Sequence, residues 1–271
     1  MIIGKIHPGS GLGDQLFTYI TTRTIALDKG YDFGFVGKEF FKGKDFMELD
    51  WGIDTDLKYH IEQPAGKLQI TNADPQPRYW WNKLWEAPAY YDPEVNFIED
   101  GTVIDATSAQ DERYWRHRLD EIREWLKVED LSTPDDLCVI NFRGGEFTVF
   151  PDLFLTQEYW NKAIAEMRKI NSSMQFEVHT DDPITAKTFF PDFNIWDNQM
   201  ITADKYYTHT GFNWRNIRYA KYLILTNSAF GIMPALLNEK VKIVIAPRYW
   251  ARRNIKQWSM PSNYYKKFIY I

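Results

Sequence analysis

The chain has 271 residues, enough for two domains of ordinary size that each bury a core of their own. Hydrophobic residues make up 44% and charged residues 25%, which is a globular composition and excludes a disordered or fibrous chain. A formal net charge of -5 argues against an extended nucleic-acid surface, so any phosphate-bearing ligand must be met by a local cluster of donors.

Residues 1–7 read as a short buried strand, followed by a glycine-rich turn and a helix over 15–29, where Leu16, Tyr19, Ile20, Ile25 and Leu27 follow a helical period. Gly30 is the helix stop and 31–36 the next strand, giving the βαβ unit of a parallel sheet. From Gly37 to Pro93 the pattern weakens into irregular aromatic-rich loops, with Trp80, Trp81 and Trp85 crowded near prolines. A strand is expected over 102–106 and an amphipathic helix over 110–127, carrying Trp115, Leu119, Ile122, Trp125 and Leu126. The Pro- and acid-containing segment 129–136 reads as an interdomain linker, which gives domains 1–132 and 133–271.

Beyond it strands are expected over 137–142, 175–179, 193–196, 222–226 and 241–246, the last closing the sheet. Helices are expected over 157–169, 183–190, 214–221 and 229–238. Repeated βα units with right-handed crossovers make this half a doubly wound sheet. The one cysteine, Cys138, lies in an apolar run and reads as a buried small hydrophobe. The N-terminus lacks the layout of a secretory signal, and no window approaches the ~20 apolar residues of a spanning helix. The expectation is a cytoplasmic protein with no transmembrane segment and no nucleic-acid partner; peripheral membrane association stays open. Aromatic residues at 17%, including 11 Trp, suit stacking on sugar rings as well as core packing.

Four segments carry chemistry. Gly9-Ser10-Gly11-Leu12-Gly13-Asp14-Gln15 joins a strand to a helix, where glycines permit positive φ and the helix start offers free N–H groups. Its spacing is wrong for a dinucleotide fingerprint, and no Lys-Ser or Lys-Thr follows as a P-loop needs; a tight turn without ligand is the plain alternative. Asn141-Phe142-Arg143-Gly144-Gly145-Glu146 ends the first strand of the second half, where Arg143 can meet a diphosphate or else pair with Glu146. His179-Thr180-Asp181-Asp182-Pro183 follows another strand; its carboxylates can accept from a base or ribose, hold a cation, or cap the next helix. Thr226-Asn227-Ser228-Ala229-Phe230-Gly231 joins a strand to a helix whose start suits a phosphate, with Ser228 as a simple N-cap the alternative.

In this order the four segments resemble the α-1,2-fucosyltransferase family and its α-1,6 relatives. The first is similar to G-G-L-G-N-Q-[ML]-F-x-Y, with Ser10 and Asp14 as departures. The second is similar to H-x-R-R-G-D, with Asn141 for the His, Gly144 for the second Arg and Glu146 for the Asp. Residues 176–183 resemble F-x-x-x-[ST]-D-D-P, 225–230 resemble S-N-S-[ST]-F, and 243–250 resemble I-V-I-A-P-x-x-W. The resemblance implies an α/β GT-B fold, two Rossmann-like doubly wound domains facing a cleft, the first on the acceptor side and the second holding the nucleotide sugar. It implies an inverting, metal-independent transfer of fucose from GDP-fucose to a glycan hydroxyl, with no cofactor. Arg143 would bind the diphosphate, Asn141 with Asp181 or Asp182 the guanosine, and Ser228 with the amides about it the phosphates. Gly11 and Gly13 line the opening turn, and Asn227, Ala229 and Phe230 flank Ser228. An inverting reaction also needs a base, for which Glu146 is the first candidate and Asp14, His7 and Asp152 follow. The lost His and second Arg leave two other readings open: a different GDP-sugar, or a binding protein without turnover.

Overall fold

The computed structural model describes residues 1–55, 69–71, 78–79, 91, 93–105, 110–197, 209–251 and 268–271. The expected loop tryptophans Trp80, Trp81 and Trp85 lie outside the described residues, as does the end of the 102–106 strand. Two units divide the chain, Met1–Lys127 and Val128–Ile271.

In the first unit the buried strand β1 (Ile2–Lys5) leads into helix α1 (Leu12–Lys29) and strand β2 (Phe33–Val36), which pairs with β1 in parallel register. The helix begins three residues earlier than its apolar period suggests, because Leu12 and Gly13 are themselves buried in its first turn. Gly30 takes the left-handed conformation (φ 67°) and donates back to Ala26 and Leu27, a stop that only a residue without Cβ makes cheaply. Gly4 is equally constrained: a Cβ there would stand 2.3 Å from the Phe35 ring. On the far side of β1 the sheet continues through β5 (Val103–Asp105), β3 (Gln69–Thr71) and β4 (Arg78–Tyr79), in the order β2-β1-β5-β3-β4. The β1–β5 pair is parallel, whereas β3 runs antiparallel to both β5 and β4.

The helix expected over 110–127 is broken into two short 3-10 turns, Glu112–Tyr114 and Arg116–Arg118, before α2 (Leu119–Trp125). Two local choices compete with the helix. The Asp111 carboxylate accepts the Arg113 amide and caps a single turn, and Trp115 leaves helical geometry (φ -140°) to bury its indole, 6.0 Å from the Phe17 ring.

The second unit is a six-stranded parallel sheet in the order β11-β10-β9-β6-β7-β8. Its strands are β6 (Leu137–Phe142), β7 (Gln175–Thr180), β8 (Asn194–Asp197), β9 (Tyr222–Ile224), β10 (Ile243–Ala246) and β11 (Phe268–Tyr270). The helices are α3 (Gln157–Ile170), α4 (Pro183–Phe189), α5 (His209–Tyr219) and α6 (Ala229–Leu237). Every residue of the central strand β6 is buried, as a parallel sheet covered on both faces demands. Cys138 lies there at 0% exposure, and burial pushes its thiol well above the ordinary range. The sheet does not close on β10 as expected, because Phe268–Tyr270 adds an outer parallel strand beyond it. None of the described helices is long and apolar enough to cross a membrane.

The segment read as a linker is bound to the second unit. Arg215 donates to the carbonyls of Glu129 and Asp130, Lys240 pairs with the Asp130 carboxylate, and Thr133 donates to the Tyr219 carbonyl. Acidic and polar residues that read as solvated chain are consumed here as helix and loop ties. Asn238, fully buried, does similar work: its amide donates to the carbonyls of Ile217 and Ala220 while its oxygen accepts from the amides of Lys240 and Val241. Asn238→Ala should therefore strand four backbone groups and lower stability by about 3 kcal/mol, read as a drop in the urea midpoint.

Candidate functional site

Parallel strands deliver their carboxyl ends to one edge of the sheet, where loops are free to carry function. In the second unit β6, β7 and the turn after β9 bring three of the four sequence segments to that edge. At the end of β6, Arg143 donates to Glu146 and, through its other terminal nitrogen, forms an ion pair with Asp181 (2.5 Å). Its guanidinium also lies 5.5 Å from the Phe147 ring centre. The pairing with Glu146 that the sequence offered as the plain alternative is thus present, and Asp181 joins it.

The two aspartates are occupied by this loop. Asp181 accepts from the Gly144 amide (3.0 Å), and Asp182 accepts from the Gly145 amide (3.2 Å) and from the Thr185 amide as N-cap of α4. Burial raises the Asp181 carboxyl above its ordinary range, against the pull of Arg143 and the Gly144 amide. Burial works the same way on Asp182, but the Thr185 hydroxyl and the surrounding amides outweigh it and hold that carboxyl low. Gly144 is required by this contact, since a Cβ would sit 2.5 Å from Asp182 Cβ. Gly145 has φ 44°, and a Cβ there would stand 2.7 Å from an Asp181 carboxylate oxygen. The glycine that replaces a second arginine is therefore one half of a close-packed joint.

The turn after β9 is built differently from the expectation for Asn227. That side chain is 1% exposed, donates to the carbonyls of Leu153 and Trp250, and accepts from the Thr226 hydroxyl. Its carboxamide is a cross-tie between loops and has no donor left for a ligand. Ser228 occupies the N-cap position of α6 but its hydroxyl makes no capping bond. The Gly231 and Ile232 amides turn back to the Ser228 carbonyl, so among the described residues the Ala229 and Phe230 amides and the Ser228 hydroxyl have no hydrogen-bond partner. Phe230 packs edge-on to Trp214, with ring centres 5.8 Å apart.

Asn141 lies against this helix start. It is 5% exposed, its oxygen is buried without a partner, and a Cβ on Gly231 would stand 2.1 Å from that oxygen. Only glycine at 231 lets the first turn of α6 come so close to the end of β6. Directly across in register, His179 of β7 is 0% exposed. Its Nδ1 bonds the Asn213 oxygen of α5 at 2.6 Å while Nε2 has no partner. Burial lowers its pKa to about 4, so the ring is neutral at ordinary pH. The sequence showed His179 only as the first residue of a motif; its place near the end of a strand with a buried run was the signal that it faces inward.

In the first unit, Gly11 is the N-cap of α1 with φ -67°, so the expected positive φ is absent there, and neither Gly9 nor Gly13 adopts one. Asp14 lies in the first turn and accepts from the Gln110 amide at 3.3 Å. Gln15 is a further residue whose role the sequence concealed. Buried at 1% exposure, it donates to the carbonyls of His7 and Phe40 and accepts from the Lys42 amide, lacing three loops together.

No protein-family model and no curated protein sequence matches the chain. Among solved structures it is similar in backbone to NodZ alpha-1,6-fucosyltransferase soaked with GDP-fucose, at 13% identity over 90% of this chain and 93% of that one, with a TM-score of 0.46. Fucosyltransferase NodZ from Bradyrhizobium gives 14% identity, 90% and 94% coverage and a TM-score of 0.43. The E. coli heptosyltransferase WaaC with ADP gives 12% identity, 100% and 92% coverage and a TM-score of 0.42.

Two outcomes test the site as built. Gly144→Arg, which restores the arginine of the resembled motif, should force Asp182 away and cost about 2 kcal/mol, measured by urea unfolding. His179 binds a proton below about pH 6.5 when unfolded but only below about pH 4 when folded. Stability should therefore fall as pH drops through that window, by up to about 3 kcal/mol, and His179→Phe should flatten the slope in the same titration.

Proposed function

We propose that the carboxyl edge of the second unit binds a nucleotide-diphosphate sugar and that the chain is an inverting, metal-independent glycosyltransferase moving fucose from GDP-fucose to a glycan hydroxyl. One observation carries the reading: an open helix start at Ala229 and Phe230 with the unpartnered, buried Asn141 oxygen set close to it, two residues ahead of Arg143. An N-terminus of this kind offers amides and a favourable dipole to anionic oxygens. Arg143 adds a guanidinium that can hold two phosphate oxygens at once.

The carboxylates around Arg143 fix the order of events. Before ligand arrives they balance the guanidinium, with Glu146 more than half exposed and Asp181 largely buried. An incoming diphosphate takes the place of the exposed partner, because releasing Glu146 to water costs less than stripping Asp181. Glu146 then stands beside the reacting centre. In the transfer, the acceptor oxygen bonds to the anomeric carbon as the bond from that carbon to the β-phosphate oxygen breaks. The hydroxyl proton goes to Glu146, and the charge growing on GDP is met by Arg143 and the α6 amides.

A binding protein without turnover is the second reading, favoured by the two carboxylates that already neutralise Arg143. The experiments separate the two. GDP at a hundredfold excess over Kd should stabilise the protein by about 2.7 kcal/mol in a thermal shift, and NAD should not. With glycan acceptor, GDP should be released from GDP-fucose, unaffected by EDTA. Arg143→Ala should lower kcat/KM by about 10² or more while leaving the fold intact. Unchanged kinetics in that variant would overturn the proposal, and GDP binding with no release from any GDP-sugar would select the second reading.

A further inference from the structure

The loop that carries Arg143 and Glu146 runs on into apolar side chains whose exposure the transfer chemistry does not explain. Arg143 is followed by the 3-10 turn Gly145–Val149, and regular helix resumes only at Gln157. Both ends of this loop are tied to α4. Gly145 donates to Asp182 at the helix start, and the Phe154 ring packs edge-on to Phe189 at its end, with ring centres 5.5 Å apart. A seven-residue helix is only about 10 Å long, so residues 145–154 fold back beside it. Val149 and Phe150 fall midway between the ties, 70% and 51% exposed, and Ile184 in the first turn of α4 is 82% exposed.

The backbone beneath these side chains is closed by its own bonds. The Phe147 amide donates to the Gly144 carbonyl, the Thr148 hydroxyl to the Gly145 carbonyl and the Phe150 amide to the Phe147 carbonyl. The Leu153 and Phe154 amides both turn back to the Phe150 carbonyl. The surface is therefore preformed, and polar residues at 149, 150 and 184 would cost the fold nothing. Apolar ones there suit something that arrives from outside.

Size and charge narrow the occupant. A stable protein interface takes about 800 Å² from each partner, more than three side chains supply. A membrane-surface site couples apolar residues to Lys or Arg, whereas the charged residues of segment 144–152 are the exposed carboxylates Glu146 and Asp152. The cation of α4, Lys187, is engaged with the Pro191 carbonyl. What fits is a small, uncharged apolar group. The turn also connects that group to the reaction, because residues three apart in a 3-10 helix stand on the same side, about 6 Å along the axis. Glu146 and Val149 are such a pair. Resting on the reading of Glu146 as the base, we infer that the acceptor is a glycoside with an uncharged alkyl or aryl aglycone. Val149, Phe150 and Ile184 hold the aglycone while its sugar presents a hydroxyl to Glu146.

Binding is tested first, without need of turnover. Protein carrying ¹³C-labelled Ile and Val methyls and saturated with GDP is titrated with octyl β-galactoside below its micellar concentration, and separately with methyl β-galactoside. The octyl compound should shift the Val149 and Ile184 methyls and the methyl compound should not, while Ile53, itself half-exposed in the first unit, stays unmoved by either. The double variant Val149→Ser, Ile184→Ser alters exposed positions only and should fold normally; it should bind the octyl compound about tenfold more weakly and GDP unchanged. Unshifted Val149 and Ile184, an equal shift at Ile53, or undiminished octyl binding by the double variant overturns the inference. Kinetics with paired octyl and methyl glycosides of galactose and N-acetylglucosamine provide the second test. The octyl member of a turned-over pair should have a KM about tenfold lower at similar kcat, and the double variant should erase that difference while still using the methyl member. Equal KM values for the two chain lengths also overturn the inference. Methyl shifts as expected with no turnover of any glycoside would instead count against the transferase reading and leave the apolar site standing.

Discussion

Strand ends in a parallel sheet are held along their length by the ladder but not beyond it, and a binding loop must be fixed by something else. Here the fixing contact is between Gly144–Gly145 and Asp181–Asp182. Each glycine amide donates to one aspartate, and each glycine lies too close for a side chain. The joint welds the loop after β6 to the loop after β7, and Asp182 carries it onward into α4 by capping that helix. Arg143 precedes the joint by one residue, so its direction is set by backbone that cannot turn freely. Asp181 completes the arrangement by holding the guanidinium from the buried side.

A site built this way contains more negative groups than positive ones, which decides how it can work. Desolvation already opposes the charge on Asp181, and Arg143 together with the Gly144 amide works against that opposition. Glu146 is the exposed member, and exposed ion pairs are worth little in water. The asymmetry makes one partner permanent and the other exchangeable. A single arginine can then serve an incoming anion without a cation being left unpaired at any stage.

The parallel α/β character was legible because buried strands and amphipathic helices alternate in the sequence from Leu137 onward, and period alone separates them. That three of the polar segments lie at the carboxyl edge was legible for a related reason: each directly follows a strand of the alternation. What hid was the division of labour within each segment. Asn227 and Ser228 are adjacent and equally polar, yet one is consumed by the Leu153 and Trp250 carbonyls and the other is open. Those carbonyls are distant in sequence, and no local pattern announces them. Gln15 hid in the same way, as did the ties of Glu129 and Asp130 to Arg215. The broken helix around Trp115 shows the converse failure, in which a clear apolar period lost to one large side chain seeking the core.

Cys138 stands in the middle of this architecture, on the central strand between β7 and β9, with no surface exposed to water. It is also the only sulfhydryl the chain possesses. A thiol reagent can reach it only when those three strands part, so the rate of its alkylation measures how often the sheet breathes, uncontaminated by any other thiol. The sequence thereby supplies its own probe of whether an occupied ligand edge slows the opening of the strands beneath it.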